Sequence, residues 1–138
     1  SDLGGGALST VNSEIRVTAS SFFKNTADKQ GGAILCQTAS VDTGVSRLDL
    51  VDSIFVANEA REGGGAVSCN GDFDCSVRTS QFVSNRATGL HGGSLLSNHS
   101  GLQLEDTVFS NNSALQGGGG AVFWTDSAPQ VGSCVGTA

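Results

Sequence analysis

Methionine and tyrosine are absent from this 138-residue chain, and proline and tryptophan occur once each. No apolar run approaches the ~18 residues that a membrane helix needs. Charged residues make up only 14%, with acids outnumbering bases 13 to 7 for a net charge of −6. That acidity offers no electrostatic footprint for nucleic acid or for an anionic membrane surface. Low charge, a single proline and 38% apolar residues also set the chain apart from a disordered segment. A helical bundle is excluded by the 20 glycines, which would weaken a helix at nearly every turn. They have no three-residue period, so the chain is not collagen-like. It begins at Ser1 with no signal-like apolar segment, which predicts a processed protein or a piece of a longer one.

What the chain has is repetition. Gly-Gly, a small residue and an aliphatic recur five times: Gly5-Gly6-Ala7-Leu8, Gly31-Gly32-Ala33-Ile34, Gly64-Gly65-Ala66-Val67, Gly92-Gly93-Ser94-Leu95 and Gly119-Gly120-Ala121-Val122. Between them a second motif, Phe-x-x-Asn-x-Ala, recurs four times, at Phe22-Asn25-Ala27, Phe55-Asn58-Ala60, Phe82-Asn85-Ala87 and Phe109-Asn112-Ala114. The distance from Phe to the next Gly-Gly is 9 or 10 residues, whereas the stretch after Gly-Gly varies from 17 to 24. The second repeat therefore carries an insertion near residues 37–46, on the segment where a repeat protein places an external loop.

Alignment on the phenylalanines brings out further columns. Ile15, Leu48, Cys75 and Leu102 share one, and Val17, Leu50, Val77 and Leu104 another, each alternating with polar neighbours. Such period-two alternation predicts short strands with one buried face. The Gly-Gly segment predicts another strand, with Leu8, Ile34, Val67, Leu95 and Val122 in one inward column. Two or three short strands in a repeat of about 27 residues fit one coil of a parallel β-helix. A leucine-rich repeat would need an L-x-x-L-x-L frame that is missing, and a propeller blade needs ~40 residues. The fold class expected is all-β, a parallel β-helix of about four to five coils over residues 1–124, with 125–138 as a C-terminal tail or partial cap. Stacked coils would place Phe22, Phe55, Phe82 and Phe109 in one core ladder. Asn25, Asn58, Asn85 and Asn112 would form another, bridged coil to coil by amides. Both columns read as structural and not as ligand sites.

Alternating Gly-Gly-Ala-aliphatic and Phe-x-x-Asn motifs, nine instances from Gly4 to about Trp124, are similar to the repeats of the chlamydial polymorphic membrane proteins. Ser94 departs from the pattern, but it too is small. The resemblance implies a right-handed β-helix that is extracellular or at the cell surface, with a structural or adhesive role and a host or glycan ligand. It supplies no catalytic residues and no cofactor. The outer-membrane barrel that follows such passengers in chlamydial members has no counterpart here, since alternating strands of ~10 residues with aromatic girdles are missing.

Other residues carry groups capable of chemistry. Cys36 and Cys69 each stand four residues after a Gly-Gly and should stack, while Cys75 opens the next strand. Cys69–Cys75 is the expected disulfide, because parallel stacked side chains suit disulfide torsion poorly. Cys36–Cys69 competes with it, and buried free thiols are the alternative; Cys134 lies outside the ladder. There is no C-x-x-C pair, and Asn70-Gly71-Asp72-Phe73-Asp74 lacks a calcium-loop frame, so no metal site is expected. Asp52 and Asp106 fall in one column two coils apart, about 10 Å, near the carboxylate spacing of inverting glycosidases. As turn residues they also have an ordinary reading, and no enzyme is expected. His91 and His99 read as exposed. Asn98-His99-Ser100 and Asn111-Asn112-Ser113 are glycosylation sequons at Asn98 and Asn111. The Ser20, Ser53, Ser80 and Thr107 column lacks the regular flanking threonines of an ice-binding surface. The first function class is then a non-enzymatic surface module. An accessory structural subunit of a larger assembly comes second and a carbohydrate-active enzyme third. A protein partner or neighbouring repeats would meet the open N-terminal edge.

Overall fold

The computed structural model describes residues 4–39, 46–126 and 129–137. The chain winds into a parallel β-solenoid, with no helix among these residues. The first coil runs β1 (Leu8–Val11), β2 (Glu14–Thr18), β3 (Ser21–Phe23) and β4 (Thr26–Ala27). The second runs β5 (Ile34–Gln37), β6 (Ser46–Val51), β7 (Ile54–Val56) and β8 (Glu59–Ala60). The third has β9 (Val67–Asn70), β10 (Phe73–Arg78), β11 (Gln81–Val83) and β12 (Arg86–Ala87). The fourth has β13 (Leu95–Asn98), β14 (Gly101–Glu105), β15 (Val108–Ser110) and β16 (Ser113–Ala114). Three more strands, β17 (Val122–Trp124), β18 (Gln130–Val131) and β19 (Val135–Thr137), add to the first three sheets. Each coil thus contributes four strands to four sheets. The fourth, of two residues, is too short to announce itself by alternation. The insertion expected within 37–46 falls largely on positions 40–45, outside the described residues.

Every ladder runs in the register that the motif alignment predicts. Ile15, Leu48, Cys75 and Leu102 are successive partners, as are Val17, Leu50, Val77 and Leu104. Phe22, Phe55, Phe82 and Phe109 stack face to face with centroids 4.7, 4.7 and 5.1 Å apart. Those rings, with Ile34, Leu48, Leu50, Val67, Val77 and Leu95, fill the interior of the coil. Phe73 joins them as a single large side chain over Ser46 of the coil before.

The asparagine ladder is fully used. Asn58 accepts at Oδ1 from the backbone N–H and Nδ2 of Asn25 (3.0 and 2.9 Å). Its own Nδ2 donates to Asn85 Oδ1 (2.9 Å) and to the Phe22 carbonyl (3.1 Å). Asn85 repeats the pattern toward Asn112 and Phe55. Each interior asparagine thereby satisfies both amide hydrogens and both lone pairs, which is what lets it stay fully buried.

A parallel device holds the corner before it. Ser53, Ser80 and Thr107 are buried and donate to the carbonyl two residues back, at 2.9, 2.8 and 2.8 Å. Ser53 Oγ and Ser80 Oγ also accept from the N–H of the preceding coil's serine. This column points inward and is no ice-facing surface.

The Gly-Gly pair has two separate causes. The first glycine sits at φ of 60 to 69° in all five copies, which other residues adopt only with strain. The second marks close approach between coils. A Cβ on Gly65 would lie 2.1 Å from the Gly93 carbonyl oxygen, and one on Gly93 1.9 Å from that of Gly120. The small residue that follows is buried in the three inner copies, Ala33, Ala66 and Ser94, and Ser94 keeps its hydroxyl satisfied by donating to the Ala121 carbonyl (2.8 Å).

Candidate functional site

The outer face of the sheet β18-β14-β10-β6-β2 gathers most of the chain's organised charge. Alternation puts Leu48, Leu50, Cys75 and Val77 inward, so Arg47, Asp49, Asp74, Ser76 and Arg78 must face out. Parallel register then sets Arg16 beside Asp49, and Arg47 beside Asp74. Asp49 bridges three coils: Arg16 Nε is 3.4 Å from one carboxylate oxygen, and Arg78 Nη2 donates to both at 3.0 and 3.1 Å. The Asp49 side chain is only 18% exposed, while the two arginines are 66% and 44% exposed. Pairs this wet contribute about 0.2–1 kcal/mol each, so they position the side chains more than they hold the fold. A groove of about 660 Å³ runs over this face, lined by Arg47, Asp49, Asp74 and Arg78 with Gln103 and Glu105. Arg78 Nε is buried there without a hydrogen-bond partner. The face can bind polar or charged groups along its length.

The two aspartates considered for glycoside chemistry do not converge. Asp52 and Asp106 occupy the left-handed corner after the charged strands, at φ of 50° and 46°, in one column with Ala19 and Thr79. They are corner residues, as their turn reading holds, and Thr79 of the intervening coil stands between them. Asp106 lines a smaller hollow with Glu105, Gly132 and Ser133, and Asp52 lines neither hollow. Asn70, Asp72 and Asp74 also diverge. Asn70 Nδ2 donates to Gln30 Oε1 (2.7 Å), the Asp72 N–H goes to Thr38 Oγ1, and Asp74 faces Arg47. Among the described residues no cluster of three or more His, Cys, Asp or Glu could hold a metal ion.

The cysteines depart from the expected disulfide. All four are free thiols, so no Cys69–Cys75 bond is present. Cys36 and Cys69 are direct ladder partners, as their spacing predicts, and with Cys75 they are buried in the core. Hydrogen bonds with Cys36 and then Cys75, together with burial, push the Cys69 thiol well above its ordinary pKa. Cys134 continues the Ser-Thr column and is half-buried.

The histidines differ from each other. His99 is exposed and pairs with Asp126. His91 is half-buried, against expectation: its ring stacks on Phe123 with centroids 4.1 Å apart, and Nδ1 accepts from the Gly118 N–H (2.8 Å). Spacing along one repeat gave no sign of this, because the partner lies in the next coil. Of the sequon asparagines, Asn111 is exposed at a left-handed corner, and Asn98 is half-buried with Oδ1 accepting from Thr125 Oγ1 (2.8 Å).

A second surface feature escaped the sequence. On the outer face of β3, β7, β15 and β19, Phe23, Ile54, Val108 and Val135 are exposed at 60, 40, 38 and 55%. Their motif neighbours drew attention inward, to the phenylalanine ladder.

The family model for the Chlamydia polymorphic membrane protein repeat matches residues 19–37 and 106–123. Each stretch holds a Phe-x-x-Asn-x-Ala motif and the Gly-Gly-Ala-aliphatic that follows it. No curated protein and no solved structure matches the chain significantly. The equivalent segments of the intervening coils sit in the same ladders, residue over residue. Two stretches of the chain therefore match the repeat of the Chlamydia polymorphic membrane protein family, within a parallel β-solenoid.

Proposed function

We propose that this chain is a non-enzymatic module that works outside the cell or at its surface, in a structural or adhesive role. The repeat match carries this reading, because the family it describes is one of surface and structural proteins. The division of side chains agrees with it. The recurring Phe, Asn and Ser columns are consumed inside the coil, and the groove over Arg47, Asp49, Arg78 and Gln103 is left to meet a host protein or glycan. Beads coated with the purified chain should bind host cells, and free chain should compete. Arg47→Glu with Gln103→Glu should weaken binding at unchanged thermal stability. Surface location is tested separately, by labelling intact source cells with a membrane-impermeant reagent. Equal labelling before and after lysis is expected. Labelling only after lysis, with no bead binding, overturns the reading.

A second reading, an accessory subunit within a larger assembly, draws on the apolar flank of Phe23, Ile54, Val108 and Val135. Neighbouring repeats or a protein partner at the N-terminal edge belong to the same reading. Stoichiometric co-purification lost on Phe23→Ser would favour it over adhesion. Glycosylation at Asn111, the exposed sequon, applies only to a chain passed through a eukaryotic secretory route.

A further inference from the structure

Three thiols meet where the second and third coils stack. Cys36 and Cys69 are direct partners in the β5–β9 ladder. Cys75 enters from β10, around the corner after β9, into the same core cluster as Cys36 and Cys69. All three are buried, while Cys134 stands apart on the C-terminal turn.

We propose that Cys36, Cys69 and Cys75 form a redox-modification site in which Cys69 is the shared member of two mutually exclusive disulfides. Ladder partners stand ~4.8 Å apart, within the Cα separation a disulfide spans. Cys69 faces Cys75 across the β9–β10 corner. One sulfur cannot serve both, so oxidation takes up two thiols and leaves the third reduced. The two products differ mechanically. Cys36–Cys69 closes a loop of 33 residues and ties one coil to the next, whereas Cys69–Cys75 closes one of 6 within a coil. The longer loop restricts the unfolded chain more.

Burial also sets when the bond forms. In the closed core Cys69 is held as a thiol, and the thiolate is the form that attacks. Oxidation therefore belongs to folding, before the third coil covers the second. With a low-molecular-weight disulfide as oxidant, the Cys69 thiolate attacks one of its sulfurs, and one small thiolate leaves and takes a proton. Cys36 or Cys75, having lost its own proton, then attacks the Cys69 sulfur and expels the second small thiol. One protein S–S bond and two small thiols replace two protein thiols and one small disulfide. The site stands independently of the surface reading above.

The test refolds the full chain from urea in glutathione/glutathione disulfide, alkylates the remaining thiols and maps peptides by mass spectrometry. The expected product is lighter by two hydrogens, with Cys69 in every disulfide and with Cys134 and one of Cys36 or Cys75 alkylated. Cys75→Ala should yield only Cys36–Cys69, Cys36→Ala only Cys69–Cys75, and the former should melt higher. Cys69→Ala, checked for its β-sheet circular dichroism, should yield neither. Folded reduced protein exposed to the same buffer should oxidise far more slowly than the refolding chain. Full alkylation of all four cysteines after oxidative refolding overturns the proposal, and so does a Cys36–Cys75 bond or one to Cys134.

Discussion

The side-chain amide of Asn58 donates to Asn85 Oδ1 at 2.9 Å, and the same oxygen takes the backbone N–H of Asn58 at 3.0 Å. One side chain thereby terminates two hydrogen bonds from the coil before it and sends two of its own, to Asn112 and to the Phe55 carbonyl. Asn85→Ala would take a bond from the Asn58 N–H, the Asn58 amide and the Phe55 carbonyl, while Asn112 Oδ1 keeps only the backbone N–H of residue 85 (3.0 Å). The expected loss is about 3–5 kcal/mol, read as a fall in urea midpoint. Asn85→Asp should be at least as damaging at neutral pH, since it removes both donors and buries a charge. A loss under 1 kcal/mol for either would mean that the ladder is not what holds the coils in register.

The phenylalanine positions separate core from surface in adjacent residues. Phe82 is sandwiched between Phe55 and Phe109, and its replacement by alanine should cost about 3–5 kcal/mol. Phe23 has the opposite standing: it is 60% exposed, with Lys24 Nζ 5.0 Å above its ring. Phe23→Ser should shift stability by no more than about 0.5 kcal/mol. Thermal denaturation of the two variants side by side checks the contrast.

Thr79 is an exposed β-branched residue held at φ of 45°. That backbone costs a β-branched side chain roughly 1–2 kcal/mol, and the bond from its N–H to the Glu105 carbonyl (3.0 Å) does not depend on the side chain. Thr79→Asn, which tolerates the left-handed region, should raise the melting temperature by a few degrees. Ala57→Gly, at φ of 54°, should be neutral or mildly stabilising for the same reason. A lowered melting temperature for Thr79→Asn would show the corner to be held by something other than local geometry.

The glycine pair should prove intolerant at both places, in contrast with its neighbour. Gly65→Ala drives a methyl to 2.1 Å from a backbone oxygen that cannot swing away, and overpacking of this kind costs at least about 1–3 kcal/mol. Ala66→Ser, one residue on, should stay within about 1 kcal/mol, because Ser94 already fills that column with its hydroxyl bonded to the next coil. Urea titration of both variants gives the comparison.

Cys69 makes stability fall at high pH under reducing conditions. Its thiol ionises at higher pH in the fold than in the unfolded chain, where the value is about 8.5. The unfolded state therefore loses its proton first. The contribution is intact below about pH 8.5 and declines as pH rises from there toward the folded value. Cys69→Ala should flatten the slope of urea midpoint against pH between 8 and 10. An unchanged slope would assign the effect to other groups.

The parts of this molecule that recur are legible in its sequence. Leu48 sits over Ile15 and Phe82 over Phe55 because a residue type repeated at a fixed offset can only stack. Residues without a counterpart one coil away gave no such signal. Phe73 occurs in one coil, and its partner is a serine. The tie of Asp49 to Arg16 and Arg78 depends on outward positions that vary from coil to coil. His91 on Phe123 is a contact between different columns. The serine column was visible as a column, yet its bonds to the carbonyl two residues back belong to corner geometry that no spacing records. The candidate groove follows the same rule: alternation revealed which residues face out, but not which of them meet.

The amides of the asparagine ladder all point one way. Each Oδ1 faces the first coil and each donating Nδ2 faces the fourth, so their dipoles add head to tail and polarise one another. The column is thus vectorial, with an accepting end at Asn25 and a donating end at Asn112. Any unit that prolongs it, whether a further repeat or another molecule, must bring a donor to the first and an acceptor to the second. Growth along this axis is head-to-tail, and a two-fold symmetric pairing through either end would set like dipoles against each other.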